Sequence, residues 1–445
     1  MSEALDDRFE RLRQAAVGGM GVVYEAREKA SGAHVALKVL HTRAREDVLR
    51  FEREAAILAQ LEHPGIVRYI AHGVAADGTP YLAMDWVDGE TLDARLARTG
   101  LSVAETVELG RRIAGALGYA HARGVLHRDM KPANIILPGR DLARVAILDF
   151  GVARRAATGG LTETGALVGT PAYMAPEQAR GERGLSPAVD VFALGCVLYE
   201  CLTGRRAFEG KHVLALVAKV VLWDPPPVQG VPAALAEAVQ TMLAKDPAAR
   251  PRDGAEVERL LAAIDTAPGP RVARPAAPAE TVRNDARGKI ASIVVATPAE
   301  VAAGTELPGD GAWSGDRERI AALVDGALRW EVLRDGSLVA VLADSGGRRE
   351  LAERAVACAA AVRRAMPDAL IAIATGEIAD GDPVVTTVGA LVDDTVAALA
   401  REAMVMVFAK SSRPAGAIRV DERTAAALPP ERVLRVKQAW YVEAT

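Results

Sequence analysis

Cysteine is scarce: Cys196, Cys201 and Cys358 are the only three in 445 residues. None forms a CxxC pair, which argues against a disulfide framework and a zinc site and suits a reducing cytoplasm. An excess of charge is also lacking. Lys and Arg number 54 against 58 Asp and Glu, a net charge of −4, so there is no basic footprint for nucleic acid and no polybasic membrane anchor. Long apolar runs are missing: His212 to Trp223 and Ile290 to Ala296 are too short or too charged to span a bilayer. Met1 to Glu10 is acidic, has no apolar core and does not read as a signal peptide. No short-period repeat occurs. What remains has ordinary globular composition, 50% hydrophobic and 25% charged, and is long enough for two or three domains. A cytoplasmic location is expected.

Patterning divides the chain. Phe9 to about Val39 is strand-like, with a glycine-rich turn between two apolar runs. Glu46 to Leu61 carries an apolar stripe at helical spacing and stops at His63-Pro64-Gly65. Strands are expected at Ile66 to Tyr69 and Tyr81 to Trp86, and helices at Leu92 to Arg98 and Val103 to Arg123. Short strands recur near Asn134 to Leu137 and Val145 to Leu148, and helices run from Ala188 to near Ile264. Residues 266–288, rich in Pro, Ala and Arg, read as a linker. Beyond it, Ile290 to Ala296 predicts a strand, Arg317 to Glu331 a helix and Leu338 to Leu342 a strand. Arg349 to Met366 then predicts a helix and Leu370 to Thr375 a strand, an α/β or α+β unit.

Chemistry concentrates in His127-Arg128-Asp129-Met130-Lys131-Pro132-Ala133-Asn134 and Asp149-Phe150-Gly151. Together they offer a carboxylate to receive a hydroxyl proton, a lysine for a phosphate, and an amide and a second carboxylate for magnesium. Gly18, Gly19 and Gly21 would let backbone N–H groups approach phosphate oxygens, where a Cβ would interfere. In isolation a plain tight turn explains them better. Lys38 lies on an apolar strand and needs a partner, which Glu54 on the next helix can supply.

These motifs resemble the bacterial, eukaryotic-type Ser/Thr protein kinases over residues 8–265. The matches are Gly18 to Tyr24, Val35 to Lys38, Glu54, His127 to Asn134, Asp149 to Gly151, Gly169 to Glu177 and Asp190. The resemblance implies an α+β, bilobal kinase fold, with an N-lobe at about 8–87 and a C-lobe at about 88–265. It implies ATP with Mg²⁺ (or Mn²⁺) as cofactors and a protein bearing Ser or Thr as substrate. Asp129 would accept the substrate proton, Lys131 would neutralise the transferring phosphoryl, and Lys38 with Glu54 would align the α and β phosphates. Asn134 and Asp149 would hold the metal. His127 would pack, Asp190 would hold the catalytic-loop backbone, and Glu177 would pair with Arg250.

By the same resemblance the nucleotide touches Ala16, Val17, Gly18, Gly19, Met20 and Gly21. Val23 and Ala36 form its roof, Ile136 its floor, Met84 the gatekeeper, and Asp85 to Val87 the hinge. Ala16 departs from the family, which has glycine there; weaker ATP binding is expected, with a larger cost if the backbone needs a positive φ. Thr162 and Thr164 are expected to be autophosphorylated and recruited by Arg128, and Thr170 to bond Asp129 and Lys131. A nucleotide-binding scaffold without transfer is the alternative reading.

Residues 289–445 resemble a class III nucleotidyl cyclase homology domain, a smaller α/β, ferredoxin-like unit. The matching stretches are Ser292 to Ala296, Glu331 to Leu338, Ala352 to Val362 and Ile371 to Glu377. Cyclase chemistry needs two metal-binding carboxylates. Asp335 aligns with one, Thr297 stands at the other, and Asp393 and Ala397 do not fit the family's Asn and Arg. A catalytically inactive module that senses a ligand or mediates homodimerisation is expected. Asp335-Gly336 reads equally well as a hairpin turn.

Overall fold

Period-two patterning from Phe9 to Leu40 builds strands that pair in chain order, because short turns leave neighbours no other partner. The computed structural model describes residues 5–18, 21–41, 45–150, 171–210, 212–266, 271–272, 289–298, 321–324, 327–333, 335–344, 347–378, 391–399, 417–436 and 439–443. Helix α1 (Leu5–Arg8) leads into β1 (Phe9–Gly18), β2 (Gly21–Glu28) and β3 (His34–Leu40). Helix α2 (Arg45–Leu58), β4 (Tyr69–Val74) and β5 (Pro80–Asp85) follow. The strands form an antiparallel sheet in the order β1-β2-β3-β5-β4. On one face Val35, Leu37 and Ala83 bury against Phe9 and Leu5. On the other, Leu40, Leu82 and Met84 bury against Phe51 and Ala55 of α2. Ala36 and Lys38 lie on this second face, paired with Met84 and Leu82.

The helical lobe begins with β6 (Gly89–Thr91), α3 (Leu92–Arg98), β7 (Leu101–Ser102) and α4 (Val103–His121). A capping box starts α4: Ser102 Oγ accepts from the Glu105 N–H, and the Glu105 carboxylate accepts from the Ser102 N–H. Strands β8 (Ile135–Pro138) and β9 (Ala146–Ile147) follow, then α5 (Pro176–Ala179), α6 (Ala188–Thr203), α7 (Val213–Leu222), α8 (Ala233–Met242) and α9 (Gly254–Ala262). Helix α6 is apolar nearly all round and lies buried among α4 and its neighbours, as such a helix must.

Three expectations need correction. Ile66 to Tyr69 is not a strand: Ile66 makes a single bridge to Ile147 and joins the helical-lobe core, and β4 starts at Tyr69. Ile66 and Val67 are apolar and β-branched, which a strand or a packed loop can bury equally. The linker is not structureless throughout. Residues Arg271–Val272 form β10, paired with β7, and Arg271 clasps the Glu105 carboxylate at 2.5 Å. Finally, the helix expected over Arg317 to Glu331 ends early. Residues 317–320 lie outside the described residues, and Arg329–Val332 is a strand, because the turn at Gly336 folds it back onto the next one.

In the C-terminal unit β11 (Lys289–Thr297), β12 (Arg329–Val332), β13 (Leu338–Asp344) and β14 (Leu370–Ile378) pair antiparallel in the order β12-β13-β11-β14. Strands β15 (Ile418–Val420), β16 (Val433–Val436) and β17 (Ala439–Val442) extend that sheet, β15 joining β14 in parallel. Helix α10 (Arg348–Ala365) covers the face bearing Val294, Ala340 and Ile373. The opposite face, with Ile293, Val295, Val339 and Ala372, buries against α7 of the kinase-like lobe and against α11 (residues 391–399). Strand β11 is apolar at nearly every position because both its faces are covered. A short helix, α12 (Glu422–Ala427), completes the unit. Among the described residues no helix is long and apolar enough to cross a membrane.

Candidate active site

The loop from His127 to Asn134 lies between α4 and β8, and its backbone is held by a side chain far away in sequence. Asp190, fully buried on α6, accepts from the His127 N–H at 2.7 Å and the Arg128 N–H at 2.6 Å. His121 Nε2 bonds the same carboxylate at 3.0 Å. Burial pushes the Asp190 carboxyl up, but the His121 bond, the His121 and His127 rings and the Arg128 amide outweigh it, so the group sits below the usual range. These bonds stabilise Arg128 at φ 64°, a left-handed conformation rare for a side-chain-bearing residue.

That bend presents Asp129. Its carboxylate meets Lys131 Nζ at 2.8 Å and Asn134 Nδ2 at 3.1 Å, and Asn134 Nδ2 also donates to the Asp129 carbonyl at 2.7 Å. His127 packs within the loop. Its Nδ1 accepts from the Asp129 N–H, its Nε2 donates to the Leu148 carbonyl at 2.8 Å, and its ring lies 4.8 Å from that of Phe150. Both nitrogens are engaged within the protein.

Asp149 follows β9 at φ 49° and reaches Lys38 Nζ at 3.1 Å. Lys38 therefore meets the aspartate. Glu54 lies on α2, but its side chain lies outside the described residues, as do Gly19, Met20, Thr162, Thr164 and Thr170. Asn134 and Asp149 supply oxygen, the donor magnesium takes. With the Asn134 NH₂ committed to Asp129, its Oδ1 is the atom suited to a cation. No group of three or more His, Cys, Asp or Glu gathers as a metal site among the described residues. A hard ion that also binds phosphate and water needs only one or two protein oxygens.

Three of the residues expected to face nucleotide, Val23, Ala36 and Met84, share the second sheet face. Val23 pairs with Lys38, and Ala36 with Met84. Ile136, on β8, is nearly buried. At the expected hinge, Asp85 donates its N–H to the Arg68 carbonyl, its carboxylate accepts from Arg68 Nε and Nη2, and Val87 lies just past the strand. Ala16 and Val17 are exposed on β1. Ala16 is not among the residues with positive φ, so its methyl brings no backbone strain and the larger of the two expected costs does not arise. Gly18 pairs with Gly21 at the hairpin end. A Cβ on Gly21 would stand 2.2 Å from the Val39 carbonyl oxygen, so the neighbouring strand already requires this glycine.

Sequence reasoning missed His121 and Gln178. His121 joins Asp190 to the Gly254 N–H, and Gln178 Nε2 donates to the Arg128 carbonyl at 3.1 Å. Neither carries a local signal, since their partners are distant in sequence. The pair expected between Glu177 and Arg250 is present and buried, at 2.7 and 2.9 Å.

Comparison with known proteins bears on the family. A protein kinase domain model matches residues 9–260. Serine/threonine-protein kinase PknA of Mycobacterium tuberculosis is 38% identical over 308 residues, 67% of this chain and 69% of PknA. PknB of the same organism is 38% identical over 273 residues, 58% of this chain and 43% of PknB. A crystal structure of Rad53 with AMP-PNP is 27% identical, with a TM-score of 0.49, over 58% of this chain and 66% of that one. The family model spans more than half of the sequence: the chain belongs to the protein kinase domain family, among the bacterial Ser/Thr protein kinases.

Proposed function

We propose that Asp129 is the proton acceptor of a reaction that moves the γ-phosphate of ATP to Ser or Thr hydroxyls of proteins. The observation that carries this reading is the fixed carboxylate of Asp129, 2.8 Å from the Lys131 ammonium on a loop braced by Asp190. Asp129 orients the incoming hydroxyl and receives its proton. Lys131 balances charge on the moving phosphoryl group, and Lys38 steadies the remaining phosphates. Val23, Ala36, Met84 and Ile136 enclose the adenine, and the backbone around Val87 recognises its edge. Asn134 and Asp149 would hold Mg²⁺ (or Mn²⁺), which would neutralise phosphate oxygens when bound. Positioning and electrostatics supply the rate, since this transfer needs no covalent enzyme intermediate.

The test is incubation with labelled ATP and a generic basic protein. Wild-type chain labels itself or the protein; Asp129→Asn and Lys38→Ala do not. Equal labelling in all three overturns the assignment. Thr162 and Thr164 are proposed as autophosphorylation sites that Arg128 recruits, and phosphopeptide mapping of an active sample that finds both unmodified removes that part.

For residues 289–445 we favour a cyclase-like fold without cyclase chemistry, which senses a ligand or mediates dimerisation. The antiparallel order β12-β13-β11-β14 supports the ferredoxin-like reading. Against catalysis, the Asp335 carboxylate accepts from the Ser337 N–H at 2.9 Å and caps its own hairpin, whose Gly336 has φ 77°. Asp393 is 2.8 Å from Lys219 of the kinase lobe.

A further inference from the structure

Among the described residues the C-terminal unit meets the kinase lobe through charged side chains around one apolar face, two pairs closely and Arg329 with Asp224 loosely at 3.9 Å. Lys219 on α7 meets Asp393 on α11 at 2.8 Å. Arg180, at the end of α5, meets Glu331 on β12 through two parallel bonds, Nη2 to Oε1 at 3.0 Å and Nε to Oε2 at 3.1 Å. Between them Ala215, Val217, Ala218 and Val221 of α7 bury against Ile293, Val295 and Val339 of the sheet. The first pair ties down α7. The second ties down α5, and α5 leads to the catalytic loop.

We propose that Glu331 is a positioning residue for phosphoryl transfer, acting from the C-terminal unit through Arg180. Helix α5 has four residues, too few to hold its own geometry. It is fixed from outside. Glu177 engages Arg250 beneath it, and Gln178 accepts from the Ala175 N–H and donates to the carbonyl of Arg128, the residue before Asp129. The Arg180 N–H closes the helix on the Pro176 carbonyl at 2.9 Å, so the Arg180 backbone belongs to the helix that carries Gln178. A bidentate guanidinium–carboxylate pair fixes orientation as well as distance. This pair is partly buried, with side-chain exposures of 18% and 13%. Without Glu331, Arg180 keeps Glu182, 3.5 Å away and half exposed, which draws the guanidinium toward solvent and off the sheet. Gln178 then loosens against Arg128, whose left-handed backbone aims Asp129. The C-terminal unit thus completes the kinase site in cis.

This inference rests on the kinase reading of Asp129, and the experiment separates the two. The full chain is assayed with ATP and a basic protein substrate as wild type, Glu331→Gln, Asp393→Asn and the swapped pair Arg180→Glu/Glu331→Arg. Thermal unfolding is followed alongside. Glu331→Gln is expected to lower kcat about tenfold with KM for ATP within about twofold of wild type. Asp393→Asn should keep wild-type kcat, and the swapped pair should regain most of the loss. Unchanged kcat in Glu331→Gln overturns the proposal. So does an equal fall in Asp393→Asn, which would mean that docking alone matters, or a swapped pair no better than the single variant. A wild-type chain without transfer dependent on Asp129 fails the kinase reading itself, and the proposal with it.

Discussion

The Asp190 carboxylate accepts the Arg128 N–H at 2.6 Å and holds that residue at φ 64°. A carboxylate offers acceptors only, so one group serves both the His127 and Arg128 amides and the His121 ring. Asp190→Asn places an NH₂ against at least one of these donors. We expect kcat to fall roughly tenfold to a hundredfold, by misaiming Asp129, while the protein still folds. Steady-state transfer together with circular dichroism checks this; an Asn variant with wild-type kcat contradicts it.

The hairpin glycine makes a second prediction. Gly21→Ala forces a methyl toward the Val39 carbonyl, which belongs to strand β3 and cannot swing aside like a side chain. The variant should lose about 1–3 kcal/mol of stability, read from urea unfolding, and bind ATP more weakly. Ala16→Gly relieves no positive φ, so ATP affinity should stay within about twofold. A large gain in affinity would show that the Ala16 methyl obstructs nucleotide.

Glu177 and Arg250 are both almost fully buried. Arg250 also donates to the carbonyls of Ala188, Ala244 and Lys245. Arg250→Met strands the Glu177 charge and is expected to cost about 3–5 kcal/mol, seen as a large drop in the urea midpoint. An Arg250→Met protein as stable as wild type would refute this.

Lys245 predicts a pH dependence. Its ammonium donates to the Val220 carbonyl at the end of α7 and stands 4.2 Å from the Phe208 ring. Burial lowers its pKa to about 7 from 10.5, against the pull of Asp224. In the unfolded chain the pKa returns to its ordinary value. Between about 7 and 10.5 the unfolded chain therefore binds a proton that the folded one lacks, so this residue's contribution makes stability rise with pH across that window. Below it both states are protonated and the penalty is constant. Urea midpoints from pH 7 to about 10 should rise more steeply in wild type than in Lys245→Met; parallel profiles would exclude the effect.

Much of the kinase lobe was legible in order and spacing. Helix α3 begins and ends at Leu92 and Arg98 as its periodicity predicts, and α4 starts at the expected Val103. The residues gathered around Asp129 lie within one short loop, where sequence distance limits spatial distance. Legibility fell where a partner is remote. The Ile66 run served the helical-lobe core, and Arg271 turned part of the linker into a strand. Arg329–Val332 became a strand because of what it pairs with. An apolar or charged residue states that it needs a partner; it does not state which.

Sequence alone set the inventory: an acid, a lysine and two further oxygen-bearing side chains at fixed spacing. Those properties are local, set by composition and by neighbours a few residues apart. Tertiary structure decided the aim of that inventory. It brought Asp190 from 62 residues away to bend Arg128, set Val39 against Gly21, and laid the C-terminal sheet on α7 so that Glu331 could reach Arg180 across 151 residues. Hydrogen bonds and packing act over a few ångströms of space, whatever the separation along the chain.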